Sequence, residues 1–338
     1  MSTVASEFAV TKKELNWFFR QGVKGGRNLL WDDGMFLYLI GGGAALVVGE
    51  SRQEGACYKI DGNTLRSITK ASTGKDRLVI TVSEDGGQWS VECDTLGTMS
   101  YDAESADDLC PSWLKHSGKV KVEISPETTA EVARIMSFTD TESTRYSLNG
   151  VHLENNENAD GALAVSTDGR VMAVLEIDCE IPDSESERRP AGYLIPNEAL
   201  RHAKMVKQGL CVVESMGVDC FMSGTAFLQG LEGNYPRWGR VLADATKDAV
   251  VVETLDLEPT KVKCDQAIAH AKVTDEQYPP LAIGKCRFNA QYVKDAMLLF
   301  DGHSVEVSSA DGTSQKPAVF RSNGKPGLTV VIMPLVKE

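Results

Sequence analysis

Leu328-Thr-Val-Val-Ile-Met-Pro-Leu335 is the last strand of this chain, and its meaning depends on two distant stretches. One is Arg145-Tyr-Ser-Leu-Asn-Gly-Val-His-Leu-Glu154, running into Leu163-Ala-Val-Ser-Thr-Asp-Gly-Arg-Val-Met-Ala-Val174. The other is Glu232-Gly-Asn-Tyr-Pro-Arg-Trp-Gly-Arg-Val-Leu242. Around them the chain alternates apolar and polar residues with a period of two, as in Leu78–Ser83, Trp89–Cys93, Val120–Ile124 and Val305–Ser308. Such alternation predicts strands with one buried face. Asp-Gly turns at 32–34, 84–87, 167–169 and 310–312 separate these runs, because glycine tolerates the positive φ of a tight hairpin.

Helices punctuate the strands over 11–22, 61–72, 125–138, 197–208 and 289–300, with a weaker candidate at 258–272. Thr11 followed by Glu14 has the form of a capping box, and Ser125-Pro126 offers an N-cap with proline in the first turn. Asn197, after Pro196, is a further candidate cap. The order helix, hairpins, helix, hairpin is clear in 1–117 and again in 118–240. Each block ends in the same way, with a hairpin leading to a long strand: 78–100, 210–232 and 304–335. A period near 115 residues is too long for a solenoid and predicts three tandem α+β domains, 1–117, 118–243 and 244–338. The acidic stretch 180–190 reads as a solvated loop.

At 338 residues, with 42% apolar and 25% charged residues, the composition is that of a globular protein of two or three domains. The chain has no apolar run long enough for a membrane helix and no secretory signal pattern, which predicts a cytoplasmic protein. Eight cysteines occur singly with no CxxC pair, and read as reduced structural thiols with no metal and no cofactor. The net charge of −13 argues at first against nucleic acid. The six helical segments nevertheless carry five more Lys and Arg than Asp and Glu together, so everything outside them is strongly acidic. A protein that holds DNA on one face has that distribution.

Catalytic patterns are missing. The chain holds no GxxxxGK[ST], HExxH, GxSxG or GxGxxG, and Gly41-Gly-Gly43 leads into a strand where a phosphate loop would open a helix. The five histidines share no ligand spacing, and carboxylates are too plentiful at this net charge to pick out an acid–base pair.

Taken in order and at their spacings, these three segments resemble the bacterial DNA polymerase III beta sliding clamp family. In that family they converge on the groove that captures peptide tails of polymerases and other DNA-handling proteins. The resemblance implies a partner-peptide pocket built from Leu148, Thr167, Gly169, Arg170, Met172, Pro236, Arg240, Val241, Val331, Met333, Pro334 and Leu335. Here Arg170, Val171 and Met172 stand where the family usually has His-Arg-Leu, which changes one wall of the pocket. Three residues, 336–338, extend past the usual end of the family. The resemblance also places Arg27 and Tyr146 against DNA, with Ser147 where a second tyrosine is usual. It makes Lys12, Lys13, Arg20, Arg66, Lys70, Arg201, Lys204 and Lys207 the lining of a basic lumen.

The implied protein is a non-enzymatic processivity factor. Two chains close a ring around duplex DNA, helices inward and sheets outward, and tether a replicative DNA polymerase after assembly by a clamp loader. The last block is shorter than the other two, with the shortfall expected around its first helix. The facing edge strand of the first block is expected to carry Val91 and Cys93. Two other readings stay open: a clamp-like protein of a phage or mobile element that binds clamp partners without stably encircling DNA, and a hydrolase on a β-rich scaffold.

Overall fold

A computed structural model describes residues 10–21, 27–32, 36–41, 44–50, 56–83, 87–106, 120–140, 146–157, 159–182, 192–215, 218–231, 233–310 and 316–335. Their elements come in an order that recurs. The first run is β1 (Val10–Thr11), α1 (Lys12–Arg20), β2 (Arg27–Asp32), β3 (Phe36–Gly41), β4 (Ala44–Glu50), β5 (Cys57–Asp61), α2 (Gly62–Ala71), β6 (Arg77–Val82), β7 (Gln88–Cys93) and β8 (Gly97–Asp102), with a short β9 (Glu104–Ser105). The second is β10 (Val120–Ile124), α3 (Pro126–Ile135), β11 (Gly150–Asn155), β12 (Ala162–Thr167), β13 (Val171–Ile177), β14 (Tyr193–Pro196), α4 (Asn197–Val206), β15 (Leu210–Ser215), β16 (Val218–Ser223) and β17 (Ala226–Gln229). After α5 (Trp238–Thr246) the third follows: β18 (Val250–Leu255), α6 (Leu257–Thr274), β19 (Pro280–Ile283), β20 (Cys286–Asn289), α7 (Ala290–Leu299), β21 (Val305–Ser309), β22 (Ala318–Arg321) and β23 (Leu328–Ile332). The architecture is α+β, with antiparallel pairing throughout the described strands.

Local chemistry explains the helix starts. In α1 the Thr11 amide donates to Glu14 Oε2 at 2.8 Å and the Glu14 amide donates back to Thr11 Oγ1 at 3.2 Å, the reciprocal pair expected of a capping box. Asp61 accepts from the amides of Asn63 and Thr64 at the start of α2, and Asn289 from that of Gln291 at the start of α7. Asn197 opens α4 in a different way from that expected. Its side-chain amide donates to Thr139 Oγ1 at 2.6 Å, and its Oδ1 has no partner among the described residues.

The chain forms two compact units. The first combines Met1–Pro126 with Glu198–Gly230, the second Glu127–Asn197 with Leu231–Glu338. In the first unit β1-β6-β7-β8 form one sheet and β10-β15-β16-β17-β4-β3-β2-β5-β9 another. The longer sheet is joined by β17 against β4, with Phe227 opposite Ala45. Phe227 packs there with Tyr38, Ile40, Ala45 and Val47. In the second unit β14-β11-β12-β13-β23-β22-β21-β18 form one sheet and β19-β20 a separate hairpin, and the corresponding join is β23 against β13. Both joins place the last strand of one run on the third strand between the two helices of the run before it.

Three expectations are corrected, and one weak candidate is made firm. Helix α5 was not anticipated, and it runs through Ala243-Asp244, where a boundary was expected. The weak candidate at 258–272 is an 18-residue helix, α6. The shortfall of the last run is not at its first helix. It lies between its two helices, where only β19 and β20 stand against four strands in each earlier run. Val91 and Cys93 lie on β7, interior to its sheet and buried, so the edge strand is β8. The boundary at 117–118, most of the 180–190 loop and residues 336–338 lie outside the described residues.

Candidate partner-binding site and basic helices

The second unit brings together the segments around 145–174, 232–242 and 328–335. β13 and β23 pair with Met172 opposite Val331 and Val171 opposite Ile332. Helix α5 lies on that sheet, with Tyr235, Trp238, Leu242 and Ala245 packed against Val165, Met172, Val174, Val319 and Val331. The spacing of Trp238, Leu242 and Ala245 puts all three on one helical face. Tyr235 donates its hydroxyl to the Val165 carbonyl at 3.1 Å, and its ring stacks on His152 at 4.7 Å. Burial pushes the Tyr235 hydroxyl pKa upward. Gly233 has φ +135°, and a Cβ there would come within 3.3 Å of Ser147 Cβ. The turn 146–148 is thereby held against the start of the third segment.

The β12–β13 turn is fastened from both sides. Asp168 Oδ1 accepts from the amides of Arg170 at 2.7 Å and Val171 at 2.9 Å, and Gly169 supplies φ +91°. Tyr292 on α7 donates to Asp168 Oδ2 at 2.6 Å. The Arg170 guanidinium hydrogen-bonds Tyr278 Oη and lies over that ring at 4.7 Å. The closing segment is tied on next to it, with the Met333 amide donating to the Arg170 carbonyl at 2.9 Å and the Leu335 amide to the Arg287 carbonyl at 2.7 Å.

The expected pocket residues thus divide into two layers. Leu148, Thr167, Met172, Val331 and Pro334 are buried and form a foundation. Gly169, Arg170, Pro236, Arg240, Val241 and Met333 are exposed, and Leu335 is half-buried. Val241 at 43% and Met333 at 41% are large apolar side chains left open to solvent beside that foundation. Such surface accepts apolar anchors, and the flexible thioether of methionine repacks around them. Tyr235, Trp238, Leu242 and Tyr278 were missed in the sequence. The spacing of Trp238, Leu242 and Ala245 carried the signal for two of the four.

Apart from Tyr146, which belongs to the second unit, the expected DNA-facing residues lie in the first, on α1, α2 and α4 or, for Arg27 and Lys207, just beyond α1 and α4. Lys13, Arg20, Lys70, Lys204 and Lys207 are exposed or partly so. Three others hold structure. Lys12 Nζ donates to the Lys70 carbonyl at 3.2 Å at the end of α2, which favours a cation there. Arg66 donates to the Phe19 carbonyl at 3.2 Å and covers the Phe19 ring at 5.0 Å. Arg201 pairs with Glu198 one turn away. The side chains of Arg27 and Tyr146 lie outside the described residues. No group of three or more His, Cys, Asp or Glu among the described residues is arranged to hold a metal ion. No helix among them is long and apolar enough to cross a membrane.

No protein-family profile matches the chain, and neither does any curated protein. Solved structures do match, over nearly its whole length. The polymerase III beta protein of Caulobacter crescentus is 19% identical with a TM-score of 0.69, over 97% of this chain and 99% of that one. The DNA polymerase sliding clamp of Pseudomonas aeruginosa is 18% identical with a TM-score of 0.69, over 98% and 99%. The beta subunit from the DNA polymerase of Streptococcus pyogenes is 14% identical with a TM-score of 0.68, over 97% and 99%. The chain has the fold of the bacterial beta sliding clamps.

Proposed function

We propose that this protein is a DNA polymerase processivity factor of the sliding-clamp kind. It encircles duplex DNA without reading sequence and tethers a replicative polymerase through the site on its second unit. The convergence of three distant segments on one surface, with Val241 and Met333 open above a buried foundation, carries this reading. Three clamp-type domains, the last beginning after α5, supply the helices that face DNA. Lys13, Arg20, Lys70, Lys204 and Lys207 meet phosphate as flexible point charges, which position without specifying bases. Arg27 and Tyr146 are further contacts to DNA. A clamp loader places the protein on DNA, a second copy completes the ring, and no bond chemistry occurs. The expected compartment is the cytoplasm.

The partner is a peptide with apolar anchors. An aromatic anchor buries roughly 150–250 Å². At about 25 cal/mol per Å² that is worth several kcal/mol before the cost of ordering the peptide, which gives roughly micromolar affinity. The test is titration of a labelled Gln-Leu-x-Leu-Phe peptide against wild type and Met333→Ala/Leu335→Ala. Saturable binding by wild type and its loss in the variant are expected; equal binding by both would sink the assignment. One observation favours a second reading, a phage or mobile-element clamp-like protein that binds such partners without stably encircling DNA. The third run, as described, has two strands between its helices where the other two runs have four.

A further inference from the structure

The border of the partner site has a charge opposite to that of the chain. The protein carries a net −13, yet four arginines stand around the site: Arg170 in the β12–β13 turn, Arg237 and Arg240 at the start of α5, and Arg287 on β20. The closing segment ties in two of them, since the Arg170 carbonyl accepts from the Met333 amide and the Arg287 carbonyl from that of Leu335. The other two share the outer face of α5 with Val241. Positions 237, 240 and 241 lie three and four residues apart, turned away from the face that Trp238, Leu242 and Ala245 pack onto the sheet. Helix α5 also opens with no side-chain cap and no acidic residue in its first turn, so the positive end of its dipole adds to theirs.

None of the four is tied to a carboxylate. Arg134 and Arg201 are, through Glu131, Asp301 and Glu198, but Arg170, Arg237, Arg240 and Arg287 form no ion pair among the described residues. Arg170 is held by Tyr278, whose phenol accepts its hydrogen bond and whose ring lies beneath the guanidinium. A neutral partner fixes that group without cancelling its charge. Arg170, Arg237 and Arg240 are exposed, and Arg287 is half-buried. The acidic residues on the same turn, helix and strand are Asp168, whose oxygens are occupied by two amides and the Tyr292 hydroxyl, and Asp244, one turn after Arg240. Two against four leave the border cationic.

We infer that the partner peptide is acidic on both flanks of its apolar anchors, so that its carboxylates meet arginines left without anionic partners in this chain. The planar guanidinium fork suits a carboxylate, which it can grip through two parallel hydrogen bonds. A chain this acidic repels acidic peptides elsewhere, so a cationic border selects and steers as well as binds. The inference rests on the partner site proposed above and adds a sequence preference to it. Arg170 stands where the wall of that site departs from the form usual in the sliding clamps, so the preference belongs to this chain.

The test uses the full chain and three labelled peptides, each a Gln-Leu-x-Leu-Phe core flanked by Asp and Glu, by their amides Asn and Gln, or by lysine. Exposed ion pairs contribute little singly, so several together should make the acidic peptide bind about tenfold more tightly than the amide peptide at low salt. The lysine peptide should bind more weakly than either. The acidic-to-amide ratio should shrink towards one at about 0.5 M salt. It should also shrink at low salt in Arg170→Gln/Arg237→Gln, and a ratio taken within one protein cancels any general damage from the substitutions. Equal affinity for the acidic and amide peptides, or a ratio unmoved in the variant, would overturn the preference and leave the partner site standing. An acidic peptide with its Leu and Phe replaced by Ser should not bind. If it binds as tightly as the anchored one, this face is a general anion or nucleic-acid surface and the inference fails. Failure of all three anchored peptides would bring down the partner site and the preference together.

Discussion

His202 on α4 lies fully buried against Trp17 on α1, with ring centroids 4.4 Å apart and no hydrogen-bond partner for either imidazole nitrogen among the described residues. The indole NH of Trp17 donates to the Glu198 carbonyl at 3.2 Å, and Gln21 reaches the Glu198 carboxylate, so the two helices are fastened around an unsatisfied imidazole. Burial pushes the His202 pKa down to about 4, against a modest opposing pull from Glu14.

Acid should therefore loosen the first unit. Above the ordinary histidine value of 6.5 the ring is neutral in both states and the titration contributes nothing. As the pH falls from 6.5 towards 4 the unfolded chain takes up a proton that the folded one refuses, so stability declines by up to about 3 kcal/mol in total. Below that window both states are protonated and the decline from this group ends. Urea unfolding at neutral pH and close to pH 4 should show the loss in wild type and a smaller one in His202→Leu. Identical pH profiles for the two would place the titration elsewhere.

A second prediction concerns Arg134. Its guanidinium grips Asp301 through two bonds of 2.6 and 2.8 Å and donates to the Leu298 and Leu299 carbonyls, while Lys325 reaches Glu131 at 2.7 Å and Asp301 at 2.9 Å. Two cations thus cover the carbonyl end of α7. The hydrogen bond from Arg134 holds Asp301 well below its ordinary carboxylate range, so this contribution is present above about pH 4 and is lost as the pH falls further. Because the cluster is part-exposed, Arg134→Met should cost about 1–3 kcal/mol, and Lys325→Met less. The midpoint of thermal unfolding checks both. A neutral Arg134→Met would show that solvent screens the cluster completely.

Helix α5 should prove to be the support of the partner site. Leu242→Ala removes half-buried packing against the Val331 and Met172 cluster and is expected to cost about 1–3 kcal/mol, at the lower end for core truncations. It should also weaken peptide binding, because Val241 and Arg240 share the helix. Denaturation and peptide titration of the same variant measure both. Full peptide affinity in a destabilised variant would show that the site does not depend on α5.

The exposed cations of the first unit make the last prediction. Reversing Lys13, Lys70, Lys204 and Lys207 to Glu should leave stability within about 0.5 kcal/mol per site, since none is buried. The same change should shorten processive synthesis on a primed template. Removing one phosphate interaction should flatten the salt dependence of DNA association by roughly 0.9 in the log–log slope. Undiminished product length would show that DNA passes elsewhere.

Much of this was legible wherever one physical signal dominated. The Thr11–Glu14 capping box was, because a cap depends on two residues in register, and so were β6, β7, β10 and β21, because their burial alternates. Helix α5 was hidden by Pro236 and Gly239, which read as turn chemistry although glycine inside a helix costs only about 1 kcal/mol relative to alanine. α6 was faint because its buried face is made of Thr260, Cys264 and Ala271, while Val262 and Val273 are exposed. Its Pro259 sits in the first turn, where a missing N–H costs little. The pocket segments were legible as a set, but not their division into foundation and surface. The roles of Lys12 and Arg66 escaped because a helix-capping cation and a solvated one look alike in sequence.

The pairing of β17 with β4 sets a timetable for synthesis. Leu46 leaves the ribosome roughly 180 residues before Ala226, the residue it faces. At about 5–20 residues per second that is a wait of roughly 10–40 seconds, during which β4 has no neighbour on that side. The nascent first unit must either hold that edge open or borrow a passing strand. Chaperone demand should therefore peak before residue 226 emerges and fall sharply once β17 docks.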